Sequence, residues 1–272
     1  MQIREPAVAN QFYPGNSQIL KQTVLRYLSL VEIDQEDMDK IWNGTVKGII
    51  APHAGYMYSG VVAAYGYHLL KNLSRDVKWK VVLIGPSHFI PFNGASPYKD
   101  GFWKTPLGNV PVKDIRKELS IGDDDDVFLD VPEAHADEHS LEVQVPFLQL
   151  SLDKFVLYPI AVGSIRPDFL AKKLENFVKR DDVIVVVSSD LSHYLSYDEA
   201  TETDRNTLEG IIEMNIEKVI EQGDACGIKG ILTMMFLAEK LAWKPVLLDY
   251  RNSGDTAGGK DKVVGYGSVA FC

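Results

Sequence analysis

The sequence predicts an α/β fold: one domain, with a central sheet, mostly parallel or mixed, flanked by helices. Three observations carry this. Short continuous runs rich in Val and Ile, at 46–51, 79–85 and 183–189, have the composition of strands buried on both faces. Longer stretches with apolar residues at helical spacing separate them. Each run ends in a tight turn bearing a histidine: His53, His88 and, just after Asp190, His193. Ligands in open α/β sheets bind outside the carboxyl ends of the strands. Three of the six histidines therefore stand where such a fold builds a site.

The elements follow in order. Residues 1–16 are polar and aromatic with two prolines and read as an ordered arm. Ser17 is the expected cap of a helix to about Val31, with Leu20, Val24, Leu25 and Leu28 on one face. Gly44 breaks toward the first strand. After His53, the stretch 57–73 reads as a helix whose Gly60, Ala63 and Ala64 permit close packing; His68 lies within it and reads as structural. After His88, residues 91–112 read as a β-hairpin region turning at Pro106–Asn109. A helix near 113–120 precedes the acidic run Asp123–Asp126. Next comes EAHADEHSLEVQVPFLQLSL, helical in its second half through Leu141, Val145 and Leu148. His135, Asp137, Glu138, His139 and Glu142 stand at its start, with His139 placed to face the strand ends. A strand at 155–162, a helix at 167–178 and the strand at 183–189 follow. The remainder reads as a long polar helix at 198–222, a helix opening near Cys226 capped by Asp224, and closing strands at 245–251 and 263–271. The stretch between those strands, NSGDTAGGK, reads as a flexible turn.

Composition narrows the function classes. With 272 residues, 46% of them hydrophobic, the chain can bury a large core, and no linker divides residues 1–272. A net charge of −10 without a basic cluster argues against nucleic acid as partner. The run Asp123–Asp126 lacks the spaced ligands and central Gly of a calcium loop and reads as solvated. No stretch approaches the ~18 apolar residues of a membrane span, and the first residues have no signal core. Two cysteines far apart, Cys226 and the terminal, frayed Cys272, fit a reducing cytoplasm without a structural disulfide. Neither a Walker A loop nor G-x-G-x-x-G stands at a strand–helix turn, so no nucleotide cofactor is expected.

The candidate chemistry gathers at the strand ends. His53 and His88 offer two imidazoles and Cys226 a sulfur, ligands suited to zinc, iron or copper with open positions left over. A helix start would lower the Cys226 thiol pKa; the competing reading is a small buried hydrophobe. Asp190 and His193 are three apart: the carboxylate orients the imidazole as a general base or acid, or it caps the following turn. Ser188, Ser189 and Ser192 are possible nucleophiles, although no G-x-S-x-G elbow is present.

Six motifs in order, VANQFYPG, APHAGYMYSG, GPSHF, EHSLEVQVPFL, SSDLSHY and ACGIKG, resemble those of the MEMO family over nearly the whole chain. That family is similar in fold to the class III extradiol ring-cleaving dioxygenases of LigB type. The resemblance implies a LigB-like sheet flanked by helices and a metal site at His53, His88 and Cys226. It also implies that Asp190 and His193 complete the site, with His139 as a further lining residue. Extradiol enzymes hold iron with two His and a carboxylate; here Cys226 stands where a Glu is expected. A thiolate is softer and oxidisable; it favours copper or zinc more than a carboxylate does and counts against ring cleavage. The expected cofactor is a transition metal, iron or copper ahead of zinc. The family's eukaryotic members are linked to phosphopeptide binding and copper-dependent redox activity. Its prokaryotic members travel with radical-SAM and AMMECR1-type proteins. Three readings follow: a metal-dependent, redox enzyme of unassigned substrate, a non-catalytic module binding a peptide or small ligand in the vestigial cleft, or a metal-buffering or chaperone role.

Overall fold

The computed structural model describes residues 2–42, 45–122 and 125–272. Gly44 and the first half of the acidic run, Asp123 and Asp124, lie outside the described residues.

The strands among the described residues are β1 (Gln2–Arg4), β2 (Gly48–Ala51), β3 (Trp79–Pro86), β4 (Ala95–Pro97), β5 (Gly101–Thr105), β6 (Gly108–Val112), β7 (Phe155–Val162), β8 (Val183–Ser188), β9 (His193–Leu195), β10 (Pro245–Asn252) and β11 (Val263–Phe271). They form one mixed sheet in the order β1-β5-β6-β7-β3-β8-β2-β11-β10, with β4 on β7 and β9 on β11. β7, β3, β8 and β2 run parallel at its centre. β11 and β10 close one side antiparallel.

Strand side chains alternate between faces. Here both faces are apolar. Ile49, Ala51, Val81, Leu83, Ile184 and Val186 enter one core with the helices Ser17–Ser29, Tyr56–Leu70 and Val145–Ser151. Ile50, Val82, Ile84, Val183, Val185 and Val187 enter the other, against Pro167–Val178 and Ile228–Leu241. This is why the strands read as unbroken Val/Ile runs. The helix Tyr56–Leu70 is apolar nearly all round because it packs on the sheet and on Ser17–Ser29 at once.

Register sets the site. Ala51 pairs with Ser188, Ile84 with Val187 and Pro86 with Val162. The carboxyl ends of β2, β8, β3 and β7 therefore lie side by side. His53, Asp190 and His88 each follow a strand end by two residues, so neighbouring strands deliver them to one edge.

Several sequence expectations are corrected. Asn16, not Ser17, caps the first helix, its side chain accepting from the Ile19 N–H, and Leu25 is exposed on it. The long helix at 198–222 is two, Tyr197–Ile212 and Ile216–Gln222. Met214 adopts a left-handed φ of 54°, and the Asn215 side chain caps the second helix. The hairpin turn is Pro106–Leu107 alone, closed by the Thr105–Gly108 pair, with Gly108 at φ 119°. NSGDTAGGK is not a loose turn: Ser253–Thr256 is helical with an Asn252–Asp255 capping box. Asp125 is not simply solvated, since it accepts the N–H groups of Val127 and Phe128 and pairs with Lys173. Cys272 is not frayed: its backbone pairs both ways with Lys244, and burial pushes its thiol up to about 11.

Candidate metal centre

His53 is buried at the end of β2. Its Nδ1 lies 2.9 Å from Ser188 Oγ. That hydroxyl donates its one proton to Ser140 O at 2.6 Å and accepts from Gln144 Nε2 at 2.7 Å. Ser188 can therefore only accept from His53, which places the imidazole proton on Nδ1 and the lone pair on Nε2. Burial first, then the neighbouring His88, His139 and His193, hold the ring well below the usual imidazole pKa, so it is neutral. Its free Nε2 points at Cys226 Sγ, 3.2 Å away.

His88, after β3, is held in the same way by a carboxylate. Glu138 Oε1 accepts from His88 Nδ1 at 2.9 Å, and Oε2 accepts from the His88 backbone N–H at 2.6 Å. Glu138 also caps the turn His139–Glu142 through the Ser140 N–H. Burial opposes the Glu138 charge, yet these donors overcome it and hold the carboxyl down at about 2. Nε2 of His88 is left to face the cleft. The ring centroids of His53 and His88 are 5.2 Å apart, and His139 stacks 4.6 Å from His88.

Cys226 lies between Gly223 and Gly227 and stands two residues before the helix Ile228–Leu241. Gly227 is the N-cap, and Asp224 does not cap it. The thiol therefore sits outside the helix end rather than in its first turn. Burial, then the Asp190 carboxylate, push it up to about 12, against the lowered pKa the sequence suggested. The Asp190 N–H donates to the sulfur at 3.3 Å. A Cβ at Gly227 would meet Ser188 O at 2.6 Å, so only glycine lets this segment lie against the end of β8.

Asp190 does not orient His193. Its Oδ1 accepts the backbone N–H groups of His53 at 2.7 Å and Ala54 at 3.3 Å, fixing the turn after β2 rather than the one that follows Asp190. Burial pushes this carboxyl up to about 7. His193 lies on β9, half-buried, its ring 5.8 Å from that of Tyr194. Ser188, Ser189 and Ser192 are fully buried, so none presents an open nucleophile. His68 packs away from the cluster, its Nδ1 3.2 Å from Leu28 O. His135 is buried against Ser96 O and burial lowers its pKa to about 4.

Among the described residues, two groups of side chains have ligand atoms within 4.8 Å of one another: His53 with His88 and Cys226, and His88 with Glu138 and His139. An ion with Zn–N and Zn–S bonds of about 2.05 and 2.3 Å at a tetrahedral angle spans an N···S separation of roughly 3.6 Å. The His53–Cys226 distance of 3.2 Å needs only a small opening to fit.

Sequence reasoning left Glu138 without a role and missed what holds it. Arg4 and Glu142, both buried, pair at 2.5 Å. Arg4 donates to His135 O and Glu138 O, and Glu142 accepts from Ala7, Val8 and Tyr13. The N-terminal arm is thereby strapped over the Glu138–Glu142 turn, with the Phe12 ring 4.6 Å from that of His139 and tilted 40° to it. The signal in the sequence was slight: a lone Arg near the start and two Glu around EHSLE.

Compared with known proteins, residues 4–270 match the family model described as Memo-like protein. The chain belongs to the Memo-like protein family. The Memo-like chain is 38% identical to a MEMO1 family protein of Sulfolobus acidocaldarius over 99% of both chains. It is 36% identical to one of Sulfurisphaera tokodaii, again over 99% of both. Among solved structures it is similar to an uncharacterized protein of Escherichia coli K12, with TM-score 0.51 and 12% identity, covering 83% of this chain and 99% of that one. That likeness bears on the fold of the Memo-like chain alone. No helix among its described residues is long and apolar enough to cross a membrane.

Proposed function

We infer that this Memo-like protein holds a transition metal, iron or copper in preference to zinc, on His53, His88 and Cys226, and serves a redox reaction there. The observation that carries the reading is the pair of fixed tautomers. Ser188 and Glu138 take the Nδ1 protons, so two Nε2 lone pairs and a sulfur face one point. A bound ion would supply Lewis-acid and one-electron chemistry at its open positions. It would also replace the thiol proton, which burial otherwise retains.

The chain's own residues do the rest. Asp190, near neutral in pKa, holds or releases a proton on its carboxylate beside the thiol. His139, kept neutral by burial, lines the cleft against His88, and His193 is the further acid or base at its margin. The thiolate in place of a carboxylate separates this centre from a ring-cleaving extradiol site. Exposed Met57, Phe89 and Tyr194 favour a second reading, a module that docks a peptide or small ligand over the cleft. Radical-SAM and AMMECR1-type proteins are partners to assay in either case.

Elemental analysis after aerobic and anaerobic purification, with turnover on a catechol panel, tests the reading. Stoichiometric iron or copper without ring cleavage is expected. Metal-free protein that takes up none of these ions on reconstitution would sink it.

A further inference from the structure

A groove of about 560 Å³ adjoins Cys226. Its walls are the ends of β3 and β7, the segment 90–93 and the first turn of the helix Ile228–Leu241. It thus lies at the carboxyl edge of the parallel strands, beside the histidine cluster and sharing its cysteine. The chain carries 38 acidic residues. Among the described residues none of them lines this groove, and its one charged residue is Lys229. The Lys229 ammonium is exposed and has no hydrogen bond or ion pair among the described residues. It is the second residue of the helix, where the helix dipole disfavours a cation. Neither pairing nor local stability accounts for it. Asn93 and Ser164 add polar groups, while Ile90, Phe92 and Val162 add apolar surface.

We propose that this groove is the substrate subsite of the centre and takes a small organic monoanion: a carboxylate with an apolar body, its charge on Lys229. One lysine balances one carboxylate charge. A phosphate dianion would leave a charge uncompensated in a chain of net −10. The assignment of the subsite to a metal centre rests on the function proposed above; the anion preference does not.

Isothermal titration of benzoate, its uncharged isostere benzamide, and phenyl phosphate tests the proposal, using wild type, Lys229→Met and Lys229→Arg, each with metal content measured. Benzoate should bind wild type about fivefold more tightly than benzamide, as suits an exposed charge pair. Lys229→Met should erase that preference and Lys229→Arg should keep it. Equal binding of benzoate and benzamide by wild type would overturn the proposal. So would an unchanged preference in Lys229→Met, or phenyl phosphate binding tighter than benzoate. A wild type that prefers benzoate yet takes up no metal keeps the anion subsite and removes only the metal reading.

Discussion

Replacing Glu138 by Gln removes a charge that three N–H groups share: His88 N at 2.6 Å, His88 Nδ1 at 2.9 Å and Ser140 N at 2.8 Å. In the folded chain this carboxyl titrates at about 2, against an ordinary 4.5. At ~1.4 kcal/mol per pKa unit, the ionised group contributes about 3 kcal/mol of stability. The folded pKa is depressed, so the contribution is complete above about 4.5 and is lost as pH falls through about 2. Urea unfolding of metal-free wild type and Glu138→Gln should therefore differ by about 3 kcal/mol at neutral pH, and the gap should close toward pH 2. The same substitution loosens the His88 tautomer, and metal affinity should fall about 10- to 100-fold. If the two proteins lose stability in parallel on acidification and bind metal equally, Glu138 does not hold His88 and the reasoning fails.

The other expectations concern the ligands and their supports. His53→Ala/His88→Ala should abolish bound iron or copper in elemental analysis, while His68→Ala should leave it unchanged; equal metal in all three refutes the ligand set. Glu142→Gln leaves Arg4 buried without its counter-charge and strips acceptors from the arm, which should cost about 3 kcal/mol or more in denaturant unfolding. A loss below half a kcal/mol would show the arm to be dispensable. Cys226, with its thiol near 12, should alkylate slowly at neutral pH in metal-free protein, and Cys226→Ala should weaken metal binding. Rapid labelling of the metal-free thiol by iodoacetamide, located by mass spectrometry, would contradict the burial argument.

The sheet was legible because a strand covered on both faces needs apolar residues at every position, and 46–51, 79–85 and 183–189 supply them. His53, His88 and Asp190 were legible as neighbours because the carboxyl ends of parallel strands share one edge. Asn16 in place of Ser17, and the break at Met214, were not, because capping and left-handed backbone depend on a residue or two whose alternatives are nearly equal in energy.

What the sequence determined by itself was the class of fold, the strand ends and the residue types gathered there. Tertiary structure decided the chemistry of each group. Asp190 was free, on sequence, to serve His193; packing of β2 against β8 turned it to the backbone of His53 and Ala54 instead. Cys226 read as an acidic thiol, but the chain places it before the helix, half-buried at the groove, and desolvation outweighs the helix end. Glu138 and Arg4 act across 50 and 134 residues of chain. Proton positions, pKa values and buried ion pairs depend on distances between segments remote in sequence, which local propensity does not encode.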